Sequence, residues 1–151
     1  MISLDYLLSR EWNSDIDADS IVIMTEIDIR YKVACGSFFM VVNKIDCSAP
    51  WGWIPLVDLA IAFGDIRDAL ACGGSASEMF EFTENEATIV FRRVDNSIAI
   101  KTSYVSCDET VSFYEFDREV TAFKSRVFQE AEVRFPSLVK NTSFRSLRNE
   151  T

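Results

Sequence analysis

Apolar residues recur at alternate positions through residues 20–33. Ile21, Ile23, Ile27, Ile29, Tyr31 and Val33 share one face, interrupted only by Thr25, and Glu26, Asp28, Arg30 and Lys32 fill the other. A period of two predicts a half-buried strand. Ala34-Cys35-Gly36-Ser37 then reads as a turn. A second strand is expected over residues 38–47; its interior, 38–42, is apolar on both faces, as in a central strand. Together the two runs predict a long antiparallel hairpin. Ahead of it, residues 1–19 form an N-terminal segment: a short helix or arm over 1–13, with Ile2, Tyr6 and Leu7 or Leu8 on one stripe, then an acidic turn.

The period changes after Ser48-Ala49-Pro50-Trp51-Gly52-Trp53. Leu56, Leu59, Ala60, Phe63, Ile66 and Leu70 recur at helical spacing, with Pro55 at the first turn and Cys72-Gly73-Gly74 at the stop. Residues 79–83, 88–94 and 98–105 predict a three-stranded meander, with a tight turn at Asp95-Asn96 and a loop at Cys107-Asp108-Glu109-Thr110. Ser112 and Glu115 fit a capping box. The helix it opens carries Phe116, Val120, Phe123, Val127 and Ala131 on one face and ends at Pro136. Residues 137–151 read as a polar tail, basic through Lys140, Arg145 and Arg148. The sum is one α+β domain over residues 1–151: an antiparallel sheet of about five strands with the helices packed on one face. A curled half-barrel around the last helix is the alternative.

Composition narrows the chemistry. The formal net charge of −9 argues against direct binding to nucleic acid or to an anionic membrane, since both are polyanions. With no His among the 151 residues, the Ser-His and Cys-His nucleophiles and the commonest zinc ligand are excluded. The 4 cysteines include no CxxC pair and read as reduced, buried small hydrophobes. The first residues lack the basic and apolar regions of a signal peptide, and no apolar run is long enough to span a bilayer, so a cytoplasmic protein is expected.

Three patterns deserve a chemical reading. Asp15, Asp17, Asp19 and Glu26 stand at positions one, three, five and twelve of a calcium-loop spacing. Ser20 occupies the position where such a loop turns on Gly, and a strand rather than a helix is expected to follow, so a solvated acidic turn is the stronger reading. Trp51 and Trp53 flank Gly52 and either grip a partner or plug the join between the second strand and the first helix. Glu78, Glu81, Glu84 and Glu86, on and after the third strand, join Asp108 and Glu109 as a candidate negative surface for a basic partner. No catalytic, cofactor-binding or metal-binding residue is assigned, and no cofactor is expected.

The opening amphipathic hairpin, Ile54-Pro55-Leu56-Val57-Asp58-Leu59-Ala60 leading the first helix, and Val111-Ser112-Phe113-Tyr114-Glu115-Phe116 opening a last helix that ends Arg134-Phe135-Pro136-Ser137-Leu138 cover about a third of the chain. In this layout the chain resembles the small immunity proteins of bacterial contact-dependent inhibition and other polymorphic toxin systems. The resemblance implies a non-catalytic, cytoplasmic protein, a monomer or weak dimer. Its partner would be a cognate toxin domain, basic and often a nuclease, whose active site or nucleic-acid surface it covers. A protein-binding adaptor with a different partner is the alternative. A broad acidic surface is expected of the inhibitor, and an exposed apolar groove of the adaptor.

Overall fold

The computed structural model describes residues 1–10, 16–73 and 76–149. The chain is α+β, with two four-stranded antiparallel sheets where one sheet of about five strands was expected. The first strand, β1 (Ile2–Leu8), lies where a helix or arm was predicted. Ile2, Leu4, Tyr6 and Leu8 point inward, and Ser3, Asp5 and Leu7 face out. That alternation outweighs the helical stripe, because β1 has an open edge to pair with. It runs antiparallel to β2 (Cys35–Val42), with Ile2 opposite Val42 and Leu8 opposite Gly36. The approach at Gly36 is close: a Cβ there would lie 2.0 Å from the Leu7 carbonyl oxygen.

On its other side β2 pairs with β3 (Ile45–Asp46) and β4 (Ala49–Pro55). Asn43 and Lys44 turn the chain with φ of 50° and 72°, both positive as a two-residue hairpin turn with the strands' twist requires. Pro50, Trp51, Gly52 and Trp53 then stand opposite Ser37 alone, so β4 bulges, with Gly52 at a φ of 80°.

The second sheet is a meander of β5 (Ser77–Glu81), β6 (Thr88–Val94), β7 (Ser97–Thr102) and β8 (Cys107–Ser112). Three of these strands and the Asp95-Asn96 turn follow the sequence pattern. The fourth replaces the expected loop: Cys107 and Val111 are buried at alternate positions, and Glu109 shares their side.

Residues 20–33 contradict the predicted strand, and with it the long hairpin. They form parts of α1 (Ala18–Val22) and α2 (Glu26–Lys32). Two caps nucleate them. An Asp17 carboxylate oxygen accepts from the Asp19 N–H, and the Thr25 hydroxyl oxygen accepts from the Asp28 N–H at 3.3 Å. Ion pairs one turn apart, Glu26 with Arg30 and Asp28 with Lys32, then support α2. Ile29 is fully buried, while Ile23 and Ile27 point to solvent.

Helix α3 (Leu56–Ala71) follows β4 directly, as its apolar spacing predicts, and is buried on almost every side. Helix α4 (Phe113–Arg134) opens at the expected cap, where the Ser112 hydroxyl accepts from the Glu115 N–H at 3.1 Å. The Glu115 carboxylate pairs with the N-terminal ammonium at 3.3 Å. The Phe63 ring of α3 meets Phe38 of the first sheet, Phe80 and Phe91 of the second, and Phe123 of α4, with centroids 5.4–6.3 Å apart. Edge-on ring contacts of this kind add to the gain from area burial.

The expected polar tail is folded as far as the description extends. A 3-10 helix (Pro136–Lys140) and α5 (Thr142–Asn149) bury Leu138, Phe144 and Leu147, and the Phe144 ring packs on Phe128 of α4. Buried Asn141 donates from its side-chain amide to the carbonyls of Ile21 at 2.8 Å and Met24 at 3.0 Å. Its side-chain oxygen accepts from the Phe144 N–H. One amide thus closes α1, caps α5 and joins both ends of the chain.

Candidate functional site

The six acids singled out in the sequence do not share a face. Strand alternation puts Glu81 on the outer face of the second sheet and Glu78 on the inner side, opposite Phe91. Glu84 and Glu86 lie exposed in the turn between β5 and β6. Asp108 and Glu109 are on β8, at the opposite edge of the sheet from β5, Asp108 facing out and Glu109 in. Three strand spacings separate the two groups, about 14 Å. The outer face between them carries Arg92 on β6 and Lys101 on β7, with Lys101 directly opposite Asp108. That face is therefore mixed in charge.

The calcium spacing also comes apart. Asp15 lies outside the described residues, Asp17 caps α1, and Glu26 pairs with Arg30 on α2. Among the described residues no group of three or more Cys, Asp or Glu side chains is placed to hold a metal ion.

Trp51 and Trp53 lie in the segment that leads into α3 and pack against the core. Trp51 stacks on Trp53 with centroids 5.4 Å apart and meets the edges of Phe82 at 4.9 Å and Tyr104 at 5.2 Å. The Tyr104 hydroxyl donates to the Cys47 carbonyl at 2.8 Å. These contacts clasp the bulge of β4 to the second sheet. Both tryptophans keep part of their surface open.

Beside that clasp lies an open groove, of about 770 Å³, between α2 and the β5–β6 turn. Tyr31, Cys35, Trp53 and Pro55 line one side, and Thr83, Glu84 and Asn85 the other. Tyr31 also lies one helical turn after Ile27 on the exposed side of α2, where Ile27 is 69% and Tyr31 36% exposed; Ile23, 82% exposed, precedes the helix at the end of α1. The cations on this flank are engaged. Arg30 binds Asp58 at 2.8 Å and Glu26 at 3.3 Å, and Lys32 binds Asp28 at 3.0 Å. Glu84 and Glu86 have no ion pair among the described residues, so the free charge at the rim is negative.

The thiol of Cys35 donates to the Tyr31 carbonyl, and burial pushes its pKa up to about 12. A thiol held protonated in this way is packing, not a nucleophile. A second cleft, of about 400 Å³, lies along α3 and α4 over Arg67. That guanidinium is already matched by Asp68 at 3.0 Å, the Thr121 hydroxyl at 2.7 Å and Asp117 at 3.6 Å.

The sequence pattern hid this exposure because it assigned Ile23, Ile27 and Tyr31 to the buried face of a strand. The discriminating signal was the helix-capping Thr25 followed three residues later by Asp28. Comparison with family models, with curated proteins and with solved structures finds no match to this chain.

Proposed function

We propose that the chain acts by binding another protein. The partner is a cognate bacterial toxin domain, a basic nuclease, which the chain neutralises as an immunity protein by covering its active site or nucleic-acid-binding surface. The observation that carries the binding reading is the groove between α2 and the β5–β6 turn. There, Tyr31, Trp53 and Pro55 stand across from the Glu84 carboxylate, which has no ion pair among the described residues. Large exposed apolar patches with polar rims mark interaction sites. Uncompensated acids raise the rate of encounter with a basic domain. The resemblance in layout supplies the toxin; its opening hairpin is replaced here by α1 and α2, so that support now rests on the two segments that open α3 and α4.

A second reading, a non-catalytic adaptor with another partner, is favoured by a separate observation. Arg92 and Lys101 interrupt the acidic outer face of the second sheet, and the groove floor is apolar. Capture from the native host with the tagged protein, washed at low and then at high salt, separates the two. Recovery of a basic toxin domain whose activity the chain abolishes supports the immunity reading. Recovery of a partner without toxic activity sinks it and establishes the adaptor.

A further inference from the structure

We infer that the groove between α2 and the β5–β6 turn takes an amphipathic helix with an apolar ridge flanked by Lys or Arg, an inference that rests on the partner-binding reading. Ile27 and Tyr31 form a row one turn apart on the exposed side of α2, and exposed Ile23 precedes the helix at the end of α1. Rows of this spacing form the ridges against which another helix packs. The row leads through Tyr31 into the groove floored by Trp53 and Pro55. This gives an apolar side chain a recess and an aromatic wall, the usual composition of an interface centre.

The sign of the partner's charge follows from the rim. Arg30 and Lys32 are held by carboxylates of their own flank, Arg30 by both Glu26 and Asp58. Across the groove Glu84 and Glu86 are exposed and without a cation among the described residues. A cationic helix neutralises them, whereas an anionic one is repelled at the rim. A second copy of this chain would bring Glu84 and Glu86 into its own acidic field, at a net charge of −9 per copy.

The test uses the full chain, labelled with 15N, and three synthetic peptides of about 15 residues, long enough to form a helix on binding. One is a Leu/Lys amphipathic helix; the second has the same composition in an order without an apolar face; the third replaces Lys by Glu. The first peptide is expected to shift amides of residues 27–31, 53–54 and 83–86. Its affinity is expected to fall about tenfold or more in Ile27→Asp and in the Glu84→Lys, Glu86→Lys double variant. Equal binding of the scrambled or the anionic peptide overturns the inference. So do shifts spread over the whole acidic surface, or a wild-type dimer that Ile27→Asp dissociates in sedimentation. The far-ultraviolet circular dichroism of each variant is recorded to show that it is folded, and Ile27→Ala serves if Ile27→Asp is not.

Failure here is separable from failure of the toxin reading. A toxin domain that binds both variants as tightly as wild type removes the groove but leaves the immunity function. A peptide held in the groove when no toxin domain is recovered does the reverse.

Discussion

Helices α2 and α3 lie side by side and use their apolar residues in opposite ways. In α3, Leu56, Leu59, Phe63, Ile66 and Leu70 are buried, and so are the charged Asp58 and Arg67. In α2 only Ile29 is buried, while Ile27 and Tyr31 project from the surface. Hydrophobic content does not account for the contrast; position does. Two sheets and α4 surround α3, so each of its faces has a partner. The shorter α2 rests on α3, α5 and β4, and among the described residues no element covers the side that carries Ile27. One helix supplies stability, and the other presents surface. The Arg30–Asp58 pair is the strut between them.

The largest test of this division is Phe63→Ala. Removing a ring that touches both sheets and α4 is expected to cost about 3–5 kcal/mol in urea unfolding. A loss under about 1 kcal/mol would show that α3 is not the centre of the core. Next comes Arg30→Ala. It leaves Asp58, whose side chain is 10% exposed, without its cation, and is expected to cost about 2 kcal/mol. Adding Asp58→Ala is expected to restore part of the loss, and a purely additive double variant would remove the strut.

Alkaline pH probes buried groups of the first sheet and its turn. Burial pushes the Cys35 and Cys47 thiols and the Tyr6 hydroxyl up to about 12, from ordinary values of 9.0 for Cys and 10.0 for Tyr. Above about pH 9 the unfolded chain releases protons that the folded chain retains, so unfolding is favoured. The stability from these groups is complete below that pH and declines as pH climbs toward 12. Urea midpoints that do not fall between about pH 8 and about pH 11 would contradict it. The smallest effect is expected at Ile27→Ser, which should move stability by no more than about 0.5 kcal/mol. A larger loss would mean that the exposed stripe of α2 contributes to folding.

Much of the fold was legible because some segments admit one period only. Leu56, Leu59, Ala60 and Phe63 fit a helix and no strand, and Ser112 with Glu115 marks where α4 begins. Residues 20–33 admit both periods. Ile23, Ile27 and Tyr31 are four apart, and so are Ile29 and Val33; a spacing of four is two strand periods and also about one helical turn. The capping oxygens of Asp17 and Thr25 decide, and side chains that short are easily read as turn residues. At residues 2–8 the reverse held, since Ile2 and Tyr6 lie on a helical stripe and also alternate with Ser3 and Asp5. The acidic site was misread for a topological reason. With Cys107–Ser112 taken as loop, nothing in the sequence placed Asp108 a full sheet width from Glu81. The groove joins residues 31, 53 and 84, which only the tertiary fold brings together.

The Asn141 side chain, which binds the carbonyls of Ile21 and Met24, also sets an order of events during synthesis. Its bond to Ile21 spans 120 residues, so at about 5–20 residues per second the α1 segment waits roughly 6–24 s for its clamp. Until then the Ile21 carbonyl has its local bond from the Met24 N–H but lacks the Asn141 amide. The corner of the molecule that carries Ile23 and Ile27 is thus synthesised first and fastened last, when the C-terminal segment arrives.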